Sequence, residues 1–88
     1  MQETQTRVTL YTTSGCGDCR IAKRFLKERN VEFTEVNIDE DPDAEDLVIR
    51  VNDGRRKVPT IETAGRYFAC SPFDPELLAE ELGIPLNP

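Results

Sequence analysis

Residues 8–20 read VTLYTTSGCGDCR, and this stretch decides the fold. The residues Val8–Thr12 alternate and are β-prone, which predicts a strand. Ser14–Gly17 predicts a turn. Residues 17–29 predict a helix, because the apolar residues Ile21, Ala22, Phe25 and Leu26 keep helical spacing. Asn30 is predicted to end this helix. A strand, a cysteine pair and a helix therefore follow one another directly.

The rest of the chain continues the same alternation of elements. A second strand is predicted at Phe33–Ile38, followed by a helix that begins at Asp41-Pro42 and ends at Asn52–Gly54. A hairpin is predicted next, with strands Val58–Thr63 and Arg66–Cys70 and a turn at Ala64-Gly65. The last predicted helix is capped by Asp74 and ends at Gly83. The predicted inward-facing residues of the last two helices are Ala44, Leu47, Val48 and Val51, then Leu77, Leu78 and Leu82. A strand–helix–strand opening implies a parallel first pair, and a hairpin adds antiparallel strands. We therefore predict an α/β domain of order β-α-β-α-β-β-α, with a four-stranded mixed sheet and three helices on its two faces.

Composition limits the function classes. Eighty-eight residues make one domain, which we assign to residues 7–88 after a polar tail at 1–6. No apolar run approaches the roughly 20 residues of a membrane span, and the polar start lacks a secretory stretch, so we expect a cytoplasmic protein without a membrane partner. The net charge of −6 argues against nucleic acid.

Charge is distributed unevenly along the chain. Nine acidic residues lie between Glu28 and Asp46. Two basic groups stand apart from them, Arg20, Lys23, Arg24 and Lys27 after the cysteines and Arg55-Arg56-Lys57 before Pro59. Isolated surface charges contribute little to stability, so one interpretation is that both basic groups are ordinary solvated surface. The other is that the two basic groups flank one site and attract an anionic partner.

The motif Cys16-Gly17-Asp18-Cys19 carries the chemistry. A cysteine at a helix N-terminus meets unpaired N–H groups and the positive end of the helix dipole, which favour its thiolate. Cys16 can then attack a disulfide, and Cys19 can resolve the mixed disulfide. Gly17 keeps the approach to Cys16 open. A zinc or iron site is the main alternative, but a closed zinc site takes four ligands, and the chain has three cysteines and no histidine. An inert buried pair is a further alternative.

The segment 11–20 resembles the active-site segment of the glutaredoxins and related thioredoxin-fold redoxins, and Val58-Pro59-Thr60 resembles their second signature. The segments 39–42 and 73–76 are similar to parts of the ribonucleotide-reductase-associated redoxins and mycoredoxins. The resemblance covers about residues 7–82. It implies a thioredoxin fold, Cys16 as nucleophile, Cys19 as resolving thiol, and a cis Pro59 that leaves the Val58 backbone free to pair with substrate.

The chain departs from glutathione-binding members of that family. Residues 12–15 lack the usual lysine, 69–72 read Ala-Cys-Ser-Pro in place of a glycine pair, and glycines stand on both sides of Cys16 instead of an aromatic residue. Arg55, Arg56, Lys57 and Arg20 are candidate carboxylate partners instead. The predicted substrate-binding residues are Gly15, Gly17, Arg20, Lys57, Val58 and Pro59. We expect no tightly bound cofactor, with glutathione as a candidate co-substrate.

Cys70 has two interpretations. By alignment it lies near Cys16 and Pro59, either as a small, half-buried residue that ends a strand or as a third redox thiol.

Two functions from different classes follow. The first is a dithiol oxidoreductase that reduces protein or low-molecular-weight disulfides, with glutathione or a flavoprotein disulfide reductase as electron donor. The second is a carrier or sensor that binds a metal or an iron–sulfur cluster through Cys16 with glutathione. An arsenate-reductase-like protein ranks last, since the chain is too short for that family's helical insertion. We expect a monomer.

Overall fold

The computed structural model describes residues 7–87, so the predicted tail at 1–6 and the final Pro88 lie outside the described residues. Its elements are β1 (Val8–Thr12), α1 (Gly17–Glu28), β2 (Phe33–Asn37), α2 (Pro42–Val51), β3 (Thr60–Thr63), β4 (Arg66–Ala69) and α3 (Pro75–Leu82). This order is the predicted one. Among the described residues no helix is both long and apolar enough to cross a membrane.

The sheet has the strand order β2-β1-β3-β4. β1 runs parallel to β2, in the register Val8↔Phe33. β1 is antiparallel to β3, with Leu10 opposite Ile61, and β3 and β4 form the antiparallel hairpin. The predicted mixed sheet is confirmed, and the carboxyl end of the central strand β1 leads directly into the cysteine pair.

Helices cover both faces of this sheet. α1 and α3 pack on one face around a core that includes Leu10, Leu26, Ile61 and Leu78. α2 packs on the other face, where Val48 and Ile38 are buried among Tyr11, Val36 and Val58. Because β1 is central and its side chains alternate between the faces, it contributes to both cores.

The helix ends confirm the predicted caps. The Asp41 side chain accepts from the backbone N–H of Ala44, and the Asp74 side chain accepts from that of Leu77, each over 3.1 Å. Gly83 ends α3 with φ of 67°, a left-handed conformation that glycine adopts without steric cost.

Several predicted side-chain placements and strand limits were wrong. Ile21 is 44% exposed, because the α1 stripe that faces the sheet runs through Ala22, Phe25 and Leu26. Leu77 is only half-buried, and Ala79 is buried instead beside Leu78. Likewise Leu47 and Val51 lie at the half-buried margin of α2.

The hairpin is shorter than predicted at its open end. β3 begins at Thr60 rather than Val58, since Pro59 has no N–H to offer the ladder. β4 ends at Ala69, but the next residue still pairs, because the Cys70 N–H donates to the Pro59 carbonyl over 2.9 Å.

We expect Asp74→Ala to lower the free energy of unfolding by about 1 kcal/mol, because the first turn of α3 loses its N-cap acceptor. Urea denaturation followed by circular dichroism measures this change. Asp46→Ala, at an exposed position inside α2, is the matched control and should lower stability little. An equal loss in both variants would contradict the capping role of Asp74.

Candidate functional site

Cys16 is the N-cap of α1. Its backbone is extended, with φ −84° and ψ 114°, and its Sγ accepts a hydrogen bond from the Cys19 N–H over 3.1 Å. The preceding turn depends on Gly15, whose φ of 79° is unfavourable for other residues. The sulfur thus occupies the place where Ser, Thr, Asp or Asn usually caps a helix, and where the helix dipole stabilises a negative charge.

Cys19 lies in the first turn of the same helix but points into the protein. Cys16 is half-buried, whereas Cys19 is only 2% exposed. Burial, followed by a hydrogen bond with Cys16, raises the pKa of Cys19 to about 12, although a backbone hydrogen bond with Thr13 and the charge of Lys23 act in the opposite direction. All three cysteines are free thiols in this structure. The pair therefore presents one reachable sulfur and one protected, protonated sulfur.

The segment before β3 faces the reachable sulfur. The Cys16 thiol donates to the Val58 carbonyl, with Sγ 3.9 Å from the oxygen. The Val58–Pro59 peptide bond is cis, as the family resemblance implies, and Pro59 is buried. Among the described residues the Val58 N–H has no hydrogen-bond acceptor. Two of the predicted site segments, 15–19 and 58–59, are therefore brought together.

Cys70 lies beside Pro59, as predicted, but its sulfur is buried under the start of α3. It is 1% exposed, and its Sγ contacts the backbone of Asp74, accepting from the N–H over 3.3 Å and donating to the carbonyl over 3.4 Å. Burial raises the pKa of the Cys70 thiol, and the charges of Asp74 and Asp18 add smaller contributions in the same direction. The hydrogen bond from the Asp74 N–H lowers the pKa but does not cancel these effects. The surroundings favour the interpretation of Cys70 as a small core residue, more deeply buried than expected.

The predicted basic groups have different surroundings. Arg56 is paired with two carboxylates, with 2.6 Å contacts to Asp39 and to Glu45. Asp39 also accepts from the Ser14 N–H over 3.3 Å, which links this ion pair to the turn before Cys16. Arg20 is exposed, and Lys57 is half-buried beside Val58.

The space next to Cys16 is open. Gly15 and Gly17 are both exposed, and a Cβ atom added at either would meet no described atom within 4 Å. Within residues 7–87 no group of three or more His, Cys, Asp or Glu side chains is placed to hold a metal ion.

One group near the pair was not predicted from the sequence. Lys23 Nζ lies 3.0 Å from Glu35 Oε2, and the buried Thr12 hydroxyl donates to the same oxygen over 2.9 Å. Burial opposes ionisation of Glu35, but the bonds from Lys23 and Thr12 outweigh it and hold the pKa of this carboxyl below its usual value. The four-residue spacing from Cys19 to Lys23 was the available signal, since it places both on one face of α1.

The described geometry agrees with comparisons to known proteins. The glutaredoxin family model matches residues 8–68. The glutaredoxin-like protein NrdH of Lactococcus lactis subsp. cremoris is 38% identical over 73 residues, covering 83% of this chain and 96% of that protein. Mycoredoxin 1 of Corynebacterium glutamicum is 34% identical over 73 residues, covering 83% and 90%.

A solved structure shows the same fold. The glutaredoxin-like protein NrdH-redoxin from Escherichia coli superposes with a TM-score of 0.72 at 26% identity, covering 84% of this chain and 92% of that chain. The family match extends from β1 into β4 and includes both the cysteine pair and the Val58–Pro59 segment. The chain therefore belongs to the glutaredoxin family of thiol–disulfide oxidoreductases.

Proposed function

We propose that this protein is a dithiol oxidoreductase that reduces disulfides in proteins or small thiol compounds, with Cys16 as nucleophile and Cys19 as resolving thiol. One observation carries the proposal: the half-buried Cys16 sulfur caps α1 and accepts from the N–H of Cys19, whose own sulfur is buried in the first turn of that helix. The two sulfurs thus have different exposure and different surroundings, as two successive steps require.

In the first step the Cys16 thiolate attacks one sulfur of the target disulfide. A bond forms between Cys16 and that sulfur, the target's S–S bond breaks, and the other target sulfur leaves as a thiolate that takes a proton from solvent. The N–H of Cys19 and the helix N-terminus stabilise the attacking charge before the step.

In the second step Cys19 loses its proton and attacks the Cys16 sulfur. The Cys16–Cys19 disulfide forms and the reduced target leaves, so the target has gained two electrons that the protein pair has lost. A dithiol donor then reduces the pair again. Because the cycle needs the reduced form, a reducing compartment such as the cytoplasm suits it.

The substrate would lie across the open surface at Cys16. Gly15 and Gly17 leave space on both sides of the sulfur, and the Val58 N–H is available to pair with an extended substrate backbone. Pro59 supports this segment, while Lys57 and Arg20 add positive charge at its margin. A small surface of this kind suits transient contacts by a monomer.

We propose a flavoprotein reductase of the thioredoxin-reductase type as the electron donor, with glutathione as the alternative. Two observations support this choice. Cys70 stands buried where glutathione-binding relatives carry a glycine pair, and Arg56 is occupied by Asp39 and Glu45. In addition, the E. coli NrdH-redoxin structure is described as that of a glutaredoxin-like protein with a thioredoxin-like activity profile.

Brief treatment of the native protein with iodoacetamide at about pH 7 should label Cys16 roughly tenfold or more faster than Cys19 and Cys70, because the latter are buried and their thiols hold their protons. Peptide mapping by mass spectrometry measures the three labels. In urea all three cysteines should react. Equal labelling of Cys16 and Cys19 in the native protein would contradict the assigned roles.

Oxidation of NADPH should be supported by thioredoxin reductase with a protein disulfide as substrate, and Cys16→Ser should abolish it, because the serine keeps a capping oxygen but removes the nucleophile. Cys19→Ser should trap the mixed disulfide and lose turnover with this donor. The parallel assay uses glutathione with glutathione reductase.

Turnover through glutathione alone would overturn the choice of donor while keeping the dithiol mechanism. Activity that survives Cys16→Ser would contradict the mechanism itself. Failure with both donors, together with a brown colour in protein purified without oxygen, would favour the metal-carrier alternative.

A further inference from the structure

Lys23, Glu35 and Thr12 form a polar group that joins α1 to the edge of the sheet. Glu35 is opposite Leu10 in the β1–β2 register, and neighbouring side chains in a sheet share a face. Leu10 packs in the α1–α3 core, so the Glu35 carboxylate also lies on the α1 side. Val36, the next residue, packs on the α2 side.

Thr12 forms a hydrogen bond with the Glu35 carboxylate. Its side chain is 1% exposed, and its hydroxyl donates to Glu35 Oε2 over 2.9 Å. The Lys23 ammonium binds the same oxygen from α1 over 3.0 Å. The buried Thr12 hydroxyl and the Lys23 ammonium therefore bind the same carboxylate oxygen, in a partly exposed ion pair that joins α1 to β2.

Lys23 follows Cys19 by four residues, or about one turn, in α1. Residues four apart on a helix are neighbours, and helical side chains lean toward the N-terminus, so Lys23 covers the turn of Cys19. The charged or titratable groups that act on the Cys19 sulfur are Cys16, which opposes its ionisation, and Lys23, which favours it. Glu35 acts on Lys23 and is itself influenced by Lys27. Two carboxylates act on Cys70 instead, Asp74 at the start of α3 and Asp18 in the first turn of α1.

The second step of the cycle needs a positive charge near the Cys19 sulfur. Cys19 must lose its proton in a buried site, and burial opposes the charged form. In the mixed disulfide Cys16 carries neither a thiol proton nor a negative charge, so its opposition is removed. The stabilising groups that remain are the backbone of Thr13 and the ammonium of Lys23.

We propose that Lys23, held by Glu35 and Thr12, is a positioning residue for the resolving step, where its ammonium stabilises the Cys19 thiolate that breaks the mixed disulfide. The inference rests on the dithiol cycle proposed above and assigns a role that the cycle left open. The proton leaves Cys19 for solvent, the Cys16–Cys19 bond forms, and the target thiolate departs.

Stopped-flow reaction of the reduced protein with dithiobis(nitrobenzoate) separates the two steps. Cys16 releases one coloured thiolate in a phase whose rate depends on reagent concentration. Cys19 then displaces the second thiolate in a phase that does not depend on it. Cys19→Ser identifies this second phase by abolishing it.

Lys23→Gln should slow the second phase about threefold near pH 7 and displace its pH profile upward, because Cys19 loses a neighbouring positive charge and the smaller thiolate population is only partly offset by the higher nucleophilicity of each thiolate. The first phase should change little. Lys23→Arg should restore the second phase, since it keeps the charge. Lys27→Gln is the matched control, because it removes an exposed lysine one turn further along α1.

The outcomes separate this inference from the proposed function. A second phase in Lys23→Gln with the wild-type rate and pH profile would overturn the role of Lys23 and leave the dithiol cycle standing. Equal slowing of both phases, or equal slowing by Lys27→Gln, would also overturn it, since the effect would then be one of general charge. A wild-type protein that shows no second phase would overturn the dithiol cycle and this inference together.

Discussion

The structure depends on the hydrogen bond from the Cys19 N–H to the Cys16 sulfur. This contact starts α1, because it satisfies one of the N–H groups that a helix leaves unpaired, and it also places a donor against the reactive sulfur. The start of the helix and the activation of the nucleophile are therefore one interaction. The rest of the site follows from it: β1 delivers the sulfur to the sheet edge, and the Val58 carbonyl faces it from the segment before β3.

The same helix turn makes two identical residue types chemically different. The N-cap position leaves Cys16 at the surface, while three residues later the helix has rotated Cys19 onto the side that faces the sheet. Burial then keeps Cys19 protonated until a mixed disulfide forms. In the proposed cycle an early thiolate at Cys19 would compete with Cys16 for targets, so the difference in exposure sets the order of the two steps. The proposed role of Lys23 belongs to the second step, since its charge matters once Cys16 has reacted.

Much of this architecture could be predicted from local sequence rules. Asp41, Asp74 and Gly83 mark helix ends through backbone chemistry that acts within a few residues, and the alternation of strands and helices predicts the parallel first pair and the antiparallel hairpin of the mixed sheet. Contacts between distant segments could not be predicted in this way. The Lys23–Glu35 pair joins α1 to β2, and the half-buried Arg29 stacks 3.5 Å from the centroid of the Phe25 ring while it donates to the Pro85 carbonyl. Such pairings depend on which side chains the fold brings together. From the sequence alone each charged residue has several candidate partners of opposite charge.

The most direct test of the account is a redox titration with thiol tagging. The protein is equilibrated in dithiothreitol buffers of graded potential, quenched, and labelled so that each free cysteine adds a fixed mass. We predict a single two-electron transition in which Cys16 and Cys19 gain or lose their labels together, while Cys70 keeps its label in the unfolded, quenched sample at every potential. A transition that pairs Cys16 with Cys70, or a Cys16–Cys19 pair that stays reduced throughout, would contradict the account.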